Sequence, residues 1–393
     1  MERHRVMVIF GTRPEAIKVA PVIAELERSP HFEPIVVVTG QHREMLAQVL
    51  DLFGIVPHHD LDLCAPGQTL TSVTTGALNG LTPLLEAERP DAVVVQGDTT
   101  TTFVGGLAAF YQQIPVVHLE AGLRTGNPYS PFPEEVNRAL TTRLATLHLA
   151  PTEGNKQNLL AENIEPENII VTGNTVVDAL LRAAELPGGY GDPALEDLDA
   201  DPRRVVMVTA HRRESWGEGH AGIGRAIAEI ARTEPDVQIV FPIHRNPVVR
   251  ETILPALDGL DNVRVVEPLG YRGLVQLMQR AELIVTDSGG IQEEGPSLGK
   301  PVLVMRDTTE RPEAVTAGTV RLVGTDELQI VGAIRTVLHD PVQYAAMANA
   351  VNPYGDGRAA ERTVAALAHL FELGPRPDEF RPEPDAFLEE AVA

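Results

Sequence analysis

Cysteine, basic charge and long apolar runs are all scarce in this chain, and each scarcity excludes a class of protein. Cys64 is the single cysteine among 393 residues, which excludes an internal disulfide framework and a cysteine zinc cluster. We interpret Cys64 as a buried or neutral thiol in a reducing compartment. Lys and Arg total 32 against 55 Asp and Glu, a net charge of −23, so we expect neither nucleic acid nor an anionic membrane as a partner.

Signals for targeting or membrane insertion are missing as well. The first residues lead directly into the apolar strand VMVIF with no signal-peptide core, and no apolar run reaches about 18 residues. We therefore expect a cytoplasmic protein.

Two signatures of bound cofactors are also absent. No GxGxxG follows the first strand, so a tightly bound dinucleotide lacks its usual fingerprint. There is no HExxH, CxxC or comparable spacing, and the histidines are scattered singly. The sequence therefore predicts no metal and no dinucleotide cofactor.

Short Val- and Ile-rich runs alternate with longer amphipathic stretches, the pattern of parallel sheets covered by helices on both faces. The pattern restarts after residue 174, and 393 residues exceed the usual size of one domain. We predict an α/β protein of two doubly wound domains. The segment 187–202 is interpreted as a surface loop rather than core, and the Pro-rich acidic end of the chain as a tail with weak order.

Polar residues cluster at the predicted strand ends of both halves, where parallel sheets bind ligands, and two domains with facing strand ends would form a cleft. In 283–294, LIVTDSGGIQEE, a strand turns through Ser288, Gly289 and Gly290 into a helix. Unpaired N–H groups at a helix start favour a phosphate, and Glu294 would reach a sugar hydroxyl. The alternative is an ordinary glycine-rich turn capped by Ser288.

The segment GTRPEAIK after the first strand has capping-box spacing between Thr12 and Glu15. Arg13 and Lys18 bring two positive charges to the same helix start, and Pro21 is expected to kink or restart that helix. The alternative reading of the two basic residues is a solvated pair.

Three acids, Asp98, Glu120 and Glu134, follow strands or lie in a loop rich in Pro and Gly. Carboxylates that share a partly dry site raise one another's pKa values, which suits paired acid and base catalysis. A single acid is often a helix cap, and Asp98 could cap the Thr-rich helix after it. His211 and His244 end strands and could bind a diphosphate, shuttle a proton or be structural.

Eight motifs occur in one order: GTRPEAIK, TGQHREML, QGDTTT, HLEAGLRTGNPYSPFPEEVNR, VTGNTVVDAL, AHRRES, TDSGGIQEEGPSLGKPVLVMRDTTERPEAV and NPYGDG. Together they closely resemble the non-hydrolysing UDP-N-acetylglucosamine 2-epimerases of bacteria, from residue 6 to about 370. The resemblance implies the GT-B fold, with domains at 1–174 plus a returning helix at 356–375, and at 175–355, before a tail at 376–393. It also implies conversion of UDP-GlcNAc to UDP-ManNAc without a redox cofactor, through elimination of UDP to 2-acetamidoglucal and re-addition, by a homodimer.

The resemblance also implies roles for individual residues, with the carboxylate that removes the C2 proton left open. The implied catalytic residues are Asp98, Glu120, Glu134 and His211. The implied ligands of the nucleotide sugar are Arg13, Lys18, Ser288, Gly289, Gly290, Glu294 and Arg311. Leu269 and Leu274 stand in the uracil-contacting segment, where some relatives have Gln and Phe.

A second departure from the family concerns regulation. Some relatives bind another UDP-GlcNAc as an activator, and Gln41, Arg212 and His244 match that site. Glu44 and Gly67 stand where the regulated enzymes have Gln and Arg. A lost arginine removes a charge-assisted contact of roughly 1.5 to 3 kcal/mol, so we expect weak or absent activation.

Three rival functions remain compatible with the fold. A glycosyltransferase would pass the sugar to an acceptor, a hydrolysing epimerase would release free ManNAc and UDP, and a nucleotide-sugar sensor would catalyse nothing. The acids of HLEAGLRTGNPYSPFPEE argue against a transferase, because they stand where an acceptor would have to bind.

Overall fold

The computed structural model describes residues 3–40, 43–63 and 67–382, without the side chains of 43–45. Gln41 and Cys64 lie outside the described residues, as does the side chain of Glu44. The described chain forms two compact units. The first reaches to Ala179 and resumes from Tyr354 to Arg381, and the second is Leu180–Pro353.

Each unit is built on one parallel sheet, as the alternating pattern predicted. The strands of the first unit are β1 (His4–Phe10), β2 (Phe32–Val38), β3 (His59–Asp60), β4 (Ala92–Gln96), β5 (Val116–Leu119), β6 (Leu147–Ala150) and β7 (Ile169–Val171). Those of the second are β8 (Arg204–Thr209), β9 (Val237–Pro242), β10 (Val263–Val266), β11 (Leu283–Thr286), β12 (Val302–Val304) and β13 (Val320–Leu322). Their orders are β3-β2-β1-β4-β5-β6-β7 and β10-β9-β8-β11-β12-β13.

Helices connect the parallel strands in both units. They are α1 (Arg13–Arg28), α2 (Arg43–Phe53), α3 (Leu70–Glu88), α4 (Thr100–Tyr111), α5 (Glu134–Leu144), α6 (Glu153–Ala161), α7 (Thr175–Glu185), α8 (Glu218–Thr233), α9 (Pro247–Leu257), α10 (Tyr271–Arg280), α11 (Ile291–Ser297), α12 (Pro312–Ala317), α13 (Glu327–His339), α14 (Pro341–Ala348) and α15 (Ala359–Leu370). In the part of the chain that the structure describes, no helix is both long enough and apolar enough to cross a membrane.

Burial on both faces explains why the strands are almost continuously apolar. Met7 and Ile9 of β1 pack in one core with side chains of α3 and α4. Val6, Val8 and Phe10 alternate with them and are fully buried as well, and α1 packs against β1. Because successive side chains of a strand point to opposite faces, only an apolar run suits a strand covered on both sides.

The strand orders place a switch point in each sheet, between β1 and β4 and between β8 and β11. Ligands of doubly wound sheets bind beyond the carboxyl ends of the strands at such points. Residues 11–13 follow β1 and Asp98 follows the end of β4, while His211 and Ser288 come shortly after β8 and β11. The polar motifs of the sequence therefore lie at the switch point of each unit.

The unit boundaries differ slightly from the predicted domain limits. The first boundary falls inside α7, after Ala179 instead of residue 174, and the second falls after Pro353 instead of residue 355. α15 belongs to the first unit and packs against α1.

The segment 187–202 is mostly exposed and contains no strand or α-helix, as expected of the predicted surface loop, although two of its leucines are buried. Two 3-10 turns, Pro193–Leu195 and Leu198–Ala200, each contain one fully buried leucine, Leu195 and Leu198. Burying a leucine side chain contributes about 1.5–3 kcal/mol, which helps to order a segment that is otherwise polar. The mostly polar composition of the segment gave no indication that these two leucines would be buried.

Residues 375–382 depart from the weak order predicted for the tail. Phe380 is buried, and its N–H donates to the carbonyl oxygen of Val171 at 2.7 Å. The ammonium of Lys156 lies 2.7 Å from the carboxylate of Glu379. This stretch is therefore packed on the first unit, and the rest of the predicted tail lies outside the described residues.

α1 runs without a break through Pro21, so the predicted restart of this helix was wrong. Pro21 removes one helical hydrogen bond, but it is buried in the interior, and so are Val22 and Ile23 after it. Tertiary packing of this kind routinely overrides the local preference of a residue.

Candidate active site

The carboxylate of Glu120, directly after β5, accepts hydrogen bonds from three side chains of the first unit. The ammonium of Lys18 lies 2.6 Å from each of its oxygens, Asn174 Nδ2 lies 3.3 Å from Oε1, and the Gln96 amide donates to Oε2. The φ angle of Glu120 is 60°, a left-handed conformation that costs a non-glycine residue about 1–3 kcal/mol and is typical of functional sites.

Asp98 follows β4 and forms an ion pair, with Arg138 Nη2 2.7 Å from its Oδ2. Burial raises the pKa of the Asp98 carboxyl; Arg138 opposes this rise and the nearby Glu120 carboxylate adds to it, leaving the pKa above its ordinary value. One interpretation of the sequence made Asp98 the N-cap of α4, and the structure contradicts it. Thr99 is the N-cap, and its hydroxyl accepts from the N–H of Thr102.

Glu134 is the first residue of α5, the helix that also carries Arg138. Residues four apart on a helix project from the same face. Since Arg138 reaches Asp98, Glu134 lies on the face of α5 that meets the Asp98 loop. The three predicted acids are therefore brought to one end of the first sheet by β4, β5 and α5.

Arg13 and Lys18 lie on α1, in the first unit with these acids. The predicted capping box is confirmed, because Glu15 Oε2 accepts from the N–H of Thr12 at 2.7 Å. Glu15 has a second role that the sequence did not reveal. Its Oε1 accepts from the hydroxyl of Thr99 at 2.7 Å, which ties the turn after β1 to the turn after β4.

In the second unit the fully buried Asp287 organises the turn that carries His211. Its Oδ1 lies 2.8 Å from Nδ1 of His211, and its Oδ2 accepts from the backbone N–H groups of His211 and Arg212 at 2.7 and 2.8 Å. Burial raises the pKa of Asp287, but these bonds outweigh it and hold the pKa below its ordinary value. A carboxylate at Nδ1 directs Nε2 of His211 away from Asp287.

Two guanidinium groups approach the Ser288–Gly290 turn. A Cβ added at Gly289 would lie 3.0 Å from Arg311 Nη1 and 3.3 Å from Arg212 Nη2, so glycine leaves room for both groups. Arg311 Nε is held by Glu293 Oε1 at 2.6 Å. The turn leads through Gly290, the N-cap, into α11. This combination of cations and backbone N–H groups suits an anion such as a phosphate.

Glu294 lies on the first turn of α11 and is hydrogen-bonded to Tyr271, the first residue of α10. The hydroxyl of Tyr271 donates to Glu294 Oε1 at 3.0 Å. Leu269 is buried and Leu274 is half-buried on either side of Tyr271 in the sequence. The structure thus connects the predicted ribose-binding acid with the predicted uracil-contacting segment.

His244, two residues after β9, stacks against His211 with ring centroids 6.0 Å apart. Burial, with a smaller effect of His211, lowers the pKa of His244 below its ordinary value. Of the residues matched to an activator site, Arg212 and His244 therefore adjoin His211, whereas Gln41 lies outside the described residues.

The two units offer different chemistry. The first presents carboxylates that could move a proton, and the second presents arginines, a histidine and a glycine turn that could hold an anion. Within the described ranges, no group of three His, Cys, Asp or Glu side chains is arranged to hold a metal ion.

Comparison with known proteins decides the family of the chain. The model of the UDP-N-acetylglucosamine 2-epimerase family matches residues 24–368. The chain belongs to the UDP-N-acetylglucosamine 2-epimerase family. The UDP-N-acetylglucosamine 2-epimerase of Salmonella typhimurium is 56% identical over 369 residues, which cover 92% of this chain and 98% of the relative.

Solved structures of epimerases agree with the fold. The UDP-GlcNAc 2-epimerase of Neisseria meningitidis, crystallised with UDP-GlcNAc, is 50% identical with a TM-score of 0.85, covering 93% of this chain and 100% of that one. The S. aureus MnaA–UDP structure is 44% identical with a TM-score of 0.86, covering 96% of this chain and 100% of that one. The two Rossmann-like units of this epimerase family member are therefore those of a GT-B-like fold.

Sequence reasoning missed several residues that organise these clusters, among them Glu15, Arg138, Tyr271 and Asp287. Asp287 and Arg138 stand inside motifs that the sequence had singled out, but their partners lie far away along the chain and carry no local signal. Glu15 was noted only as a helix cap, and Tyr271 gave no signal beyond its place in the predicted uracil segment.

Proposed function

We propose that this chain catalyses the reversible epimerisation at C2 of UDP-GlcNAc to UDP-ManNAc, and that it does so without releasing free sugar. Its relatives include an epimerase crystallised with UDP-GlcNAc and another crystallised with UDP and UDP-GlcNAc. The observation that supports the proposal most strongly is that the two units carry complementary groups at the ends of their strands. Carboxylates end the strands of one sheet, and arginines, a histidine and a glycine turn end those of the other.

The proposal assigns the nucleotide to the second unit. Arg311, the Ser288–Gly290 turn and His211 would hold the diphosphate, because cations and backbone N–H groups stabilise the negative charge that develops when UDP leaves. Glu294 would accept hydrogen bonds from the ribose hydroxyls. The uracil would lie against the segment between Leu269 and Leu274, with contacts to its backbone.

The proposal assigns the reaction at the sugar to the first unit. A carboxylate takes the proton from C2, the C2–H electrons form a C1=C2 double bond, and the C1–O bond breaks so that UDP leaves with its electron pair. Re-addition of UDP to the resulting 2-acetamidoglucal, with proton delivery to the other face of C2, completes the inversion. Asp98 is suited to proton transfer, because burial raises its pKa and the ion pair with Arg138 only partly opposes that rise.

Incubation of the purified chain with UDP-GlcNAc, with no nicotinamide added, tests the proposal. The expected product is UDP-ManNAc at an equilibrium that can be approached from either side. Free ManNAc with UDP would indicate a hydrolysing epimerase, and a sugar transferred to an acceptor would indicate a glycosyltransferase. Light scattering of the same sample would test the homodimer that the resemblance predicts.

Weak or absent activation by UDP-GlcNAc is part of the proposal, since Gly67 offers no charged side chain where the regulated relatives have arginine. Initial rates should then rise hyperbolically with UDP-GlcNAc, and UDP-ManNAc should react without added UDP-GlcNAc. A strict requirement of the reverse reaction for UDP-GlcNAc would contradict this part of the proposal while leaving the epimerisation itself intact.

A further inference from the structure

A buried histidine that the chemistry above does not use lies two residues before Glu120. His118 is fully buried in β5, and its Nε2 lies 2.7 Å from the carbonyl oxygen of Gly97. A carbonyl can only accept, so Nε2 of His118 carries the hydrogen of this bond. Gly97 has a φ of 73°, a left-handed conformation that favours glycine, and it directly precedes Asp98.

The loop that carries Asp98 is held at three consecutive residues by three different elements. The Gly97 carbonyl accepts from His118 on β5, and the Asp98 carbonyl accepts from Asn137 Nδ2 on α5 at 3.0 Å. The Thr99 hydroxyl donates to Glu15 on α1 at 2.7 Å. His118 therefore fixes the peptide group that joins Gly97 to Asp98, and with it the direction in which the Asp98 side chain leaves the backbone.

Because the His118 ring keeps one charge state near neutral pH, its hydrogen bond to the Gly97 carbonyl does not change with pH in that range. Burial lowers the pKa of His118 to about 4, so the ring is neutral near pH 7 and has one N–H to donate. The neighbouring charges include Arg124 and Arg138, which oppose a positive ring, and Glu120, which favours it. A neutral donor thus orders the loop without adding charge beside the carboxylates.

We infer that His118 is a positioning residue that holds the Gly97–Asp98 peptide so that the Asp98 carboxylate keeps its place beside Arg138. The inference rests on the proposed function, because it assigns Asp98 to the chemical step. It predicts an effect on turnover rather than on binding of the nucleotide, which is assigned to the other unit.

The test compares His118→Leu, His118→Gln and His148→Leu. His148 is the register neighbour of His118 on β6 and is also buried, so its loss controls for removing a buried imidazole. We expect His118→Leu to lower kcat about tenfold to a hundredfold with little change in KM, since small displacements of a catalytic group have effects of this size. The glutamine amide can reach the Gly97 carbonyl and should restore most of the loss. Equal losses in His118→Leu and His148→Leu, or no loss in His118→Leu, would overturn the inference.

A measurement on the wild-type chain separates this inference from the proposed function. Nitrogen-15 NMR of the imidazoles should show that the signal lost in His118→Gln belongs to a neutral ring with its hydrogen on Nε2 from neutral pH down to about pH 5. A hydrogen on Nδ1, or a charged ring at pH 7, would contradict the assignment of the donor. This result holds whether or not the chain makes UDP-ManNAc, whereas a wild-type chain without epimerase activity would refute only the proposed function.

Discussion

The ammonium of Lys18 lies 2.6 Å from both carboxylate oxygens of Glu120, which is 102 residues away in sequence. Both side chains are largely buried, and Glu120 keeps further bonds to Gln96 and Asn174. The sequence had suggested that Lys18 contacts the nucleotide sugar. Its position supports a different role, in which Lys18 fixes a carboxylate of the proposed catalytic group.

Lys18→Met tests this role. We expect kcat to fall at least tenfold with a smaller change in the affinity for UDP, and the free energy of unfolding to fall by about 1–3 kcal/mol because a buried carboxylate loses its cation. Turnover kinetics, calorimetric titration with UDP and urea unfolding measure the three quantities. Lys156→Met is the matched control, since Lys156 also pairs with an acid in the first unit but is assigned no part in the reaction. A loss of UDP affinity that matches the loss of turnover would place Lys18 at the nucleotide instead.

Replacing the three acids one at a time should affect turnover but not the binding of UDP. Asp98→Asn, Glu120→Gln and Glu134→Gln, made singly, should each bind UDP almost as the wild type does and lower turnover by about 10²–10⁴, the usual contribution of a general acid or base. Glu153→Gln, at an exposed site on α6, is the control and should retain full activity. An acid whose replacement leaves turnover unchanged would be removed from the proposed group.

Replacing Asp287 should weaken the binding of the nucleotide rather than impair the reaction at the sugar. Asp287→Asn removes the negative charge beside Nδ1 of His211 and weakens the acceptor for the two backbone N–H groups, so the turn that carries His211 and Arg212 loses its order. We expect the affinity for UDP to fall about tenfold or more, as measured by calorimetric titration. Retention of wild-type UDP affinity would mean that this turn does not hold the diphosphate.

The pH dependence of stability offers a test at Asp178, whose carboxylate accepts from the N–H groups of Ala359 and Ala360 at the start of α15. Burial raises its pKa from 3.8 to about 6. The folded state therefore binds the proton more tightly than the unfolded state, so this stabilising effect is complete below pH 3.8 and is lost as the pH rises through 6. The loss is about 3 kcal/mol at 1.36 kcal/mol per pKa unit.

Urea unfolding of the wild type and of Asp178→Asn, from pH 4 to pH 7, measures this effect. The difference in unfolding free energy between the two proteins should change with pH, because the wild type alone loses stability from this group on going to pH 7. A difference that is constant over the range would show that Asp178 titrates normally.

Local patterns predicted the parts of this structure that depend on local sequence. The apolar strands, the capping box at Thr12 and the glycine turn at Ser288–Gly290 are each visible within a few residues. The partners that organise the site are not. Arg138 reaches Asp98 only because α5 returns to the end of β4, and no nearby residue signals that pairing.

The same reason explains why the sequence did not predict the buried leucines of 187–202 or the order of residues 375–382. Leu195 and Leu198 are isolated apolar residues in a polar stretch, and Phe380 stands in a Pro-rich acidic one, so composition predicts little order for either. Each becomes fixed because the fold provides a buried site for it, and for Phe380 also a backbone acceptor at Val171. Such sites are formed by distant parts of the chain.

Deuterium incorporation at C2 tests the central claim most directly, because the proposed route removes the C2 proton and delivers a proton from solvent to the same carbon. The purified chain is incubated with UDP-GlcNAc in deuterated water, and both nucleotide sugars are examined by mass spectrometry and proton NMR. We predict that UDP-ManNAc forms with deuterium at C2, and that the recovered UDP-GlcNAc acquires it as well. Formation of UDP-ManNAc with protium retained at C2 would contradict the account.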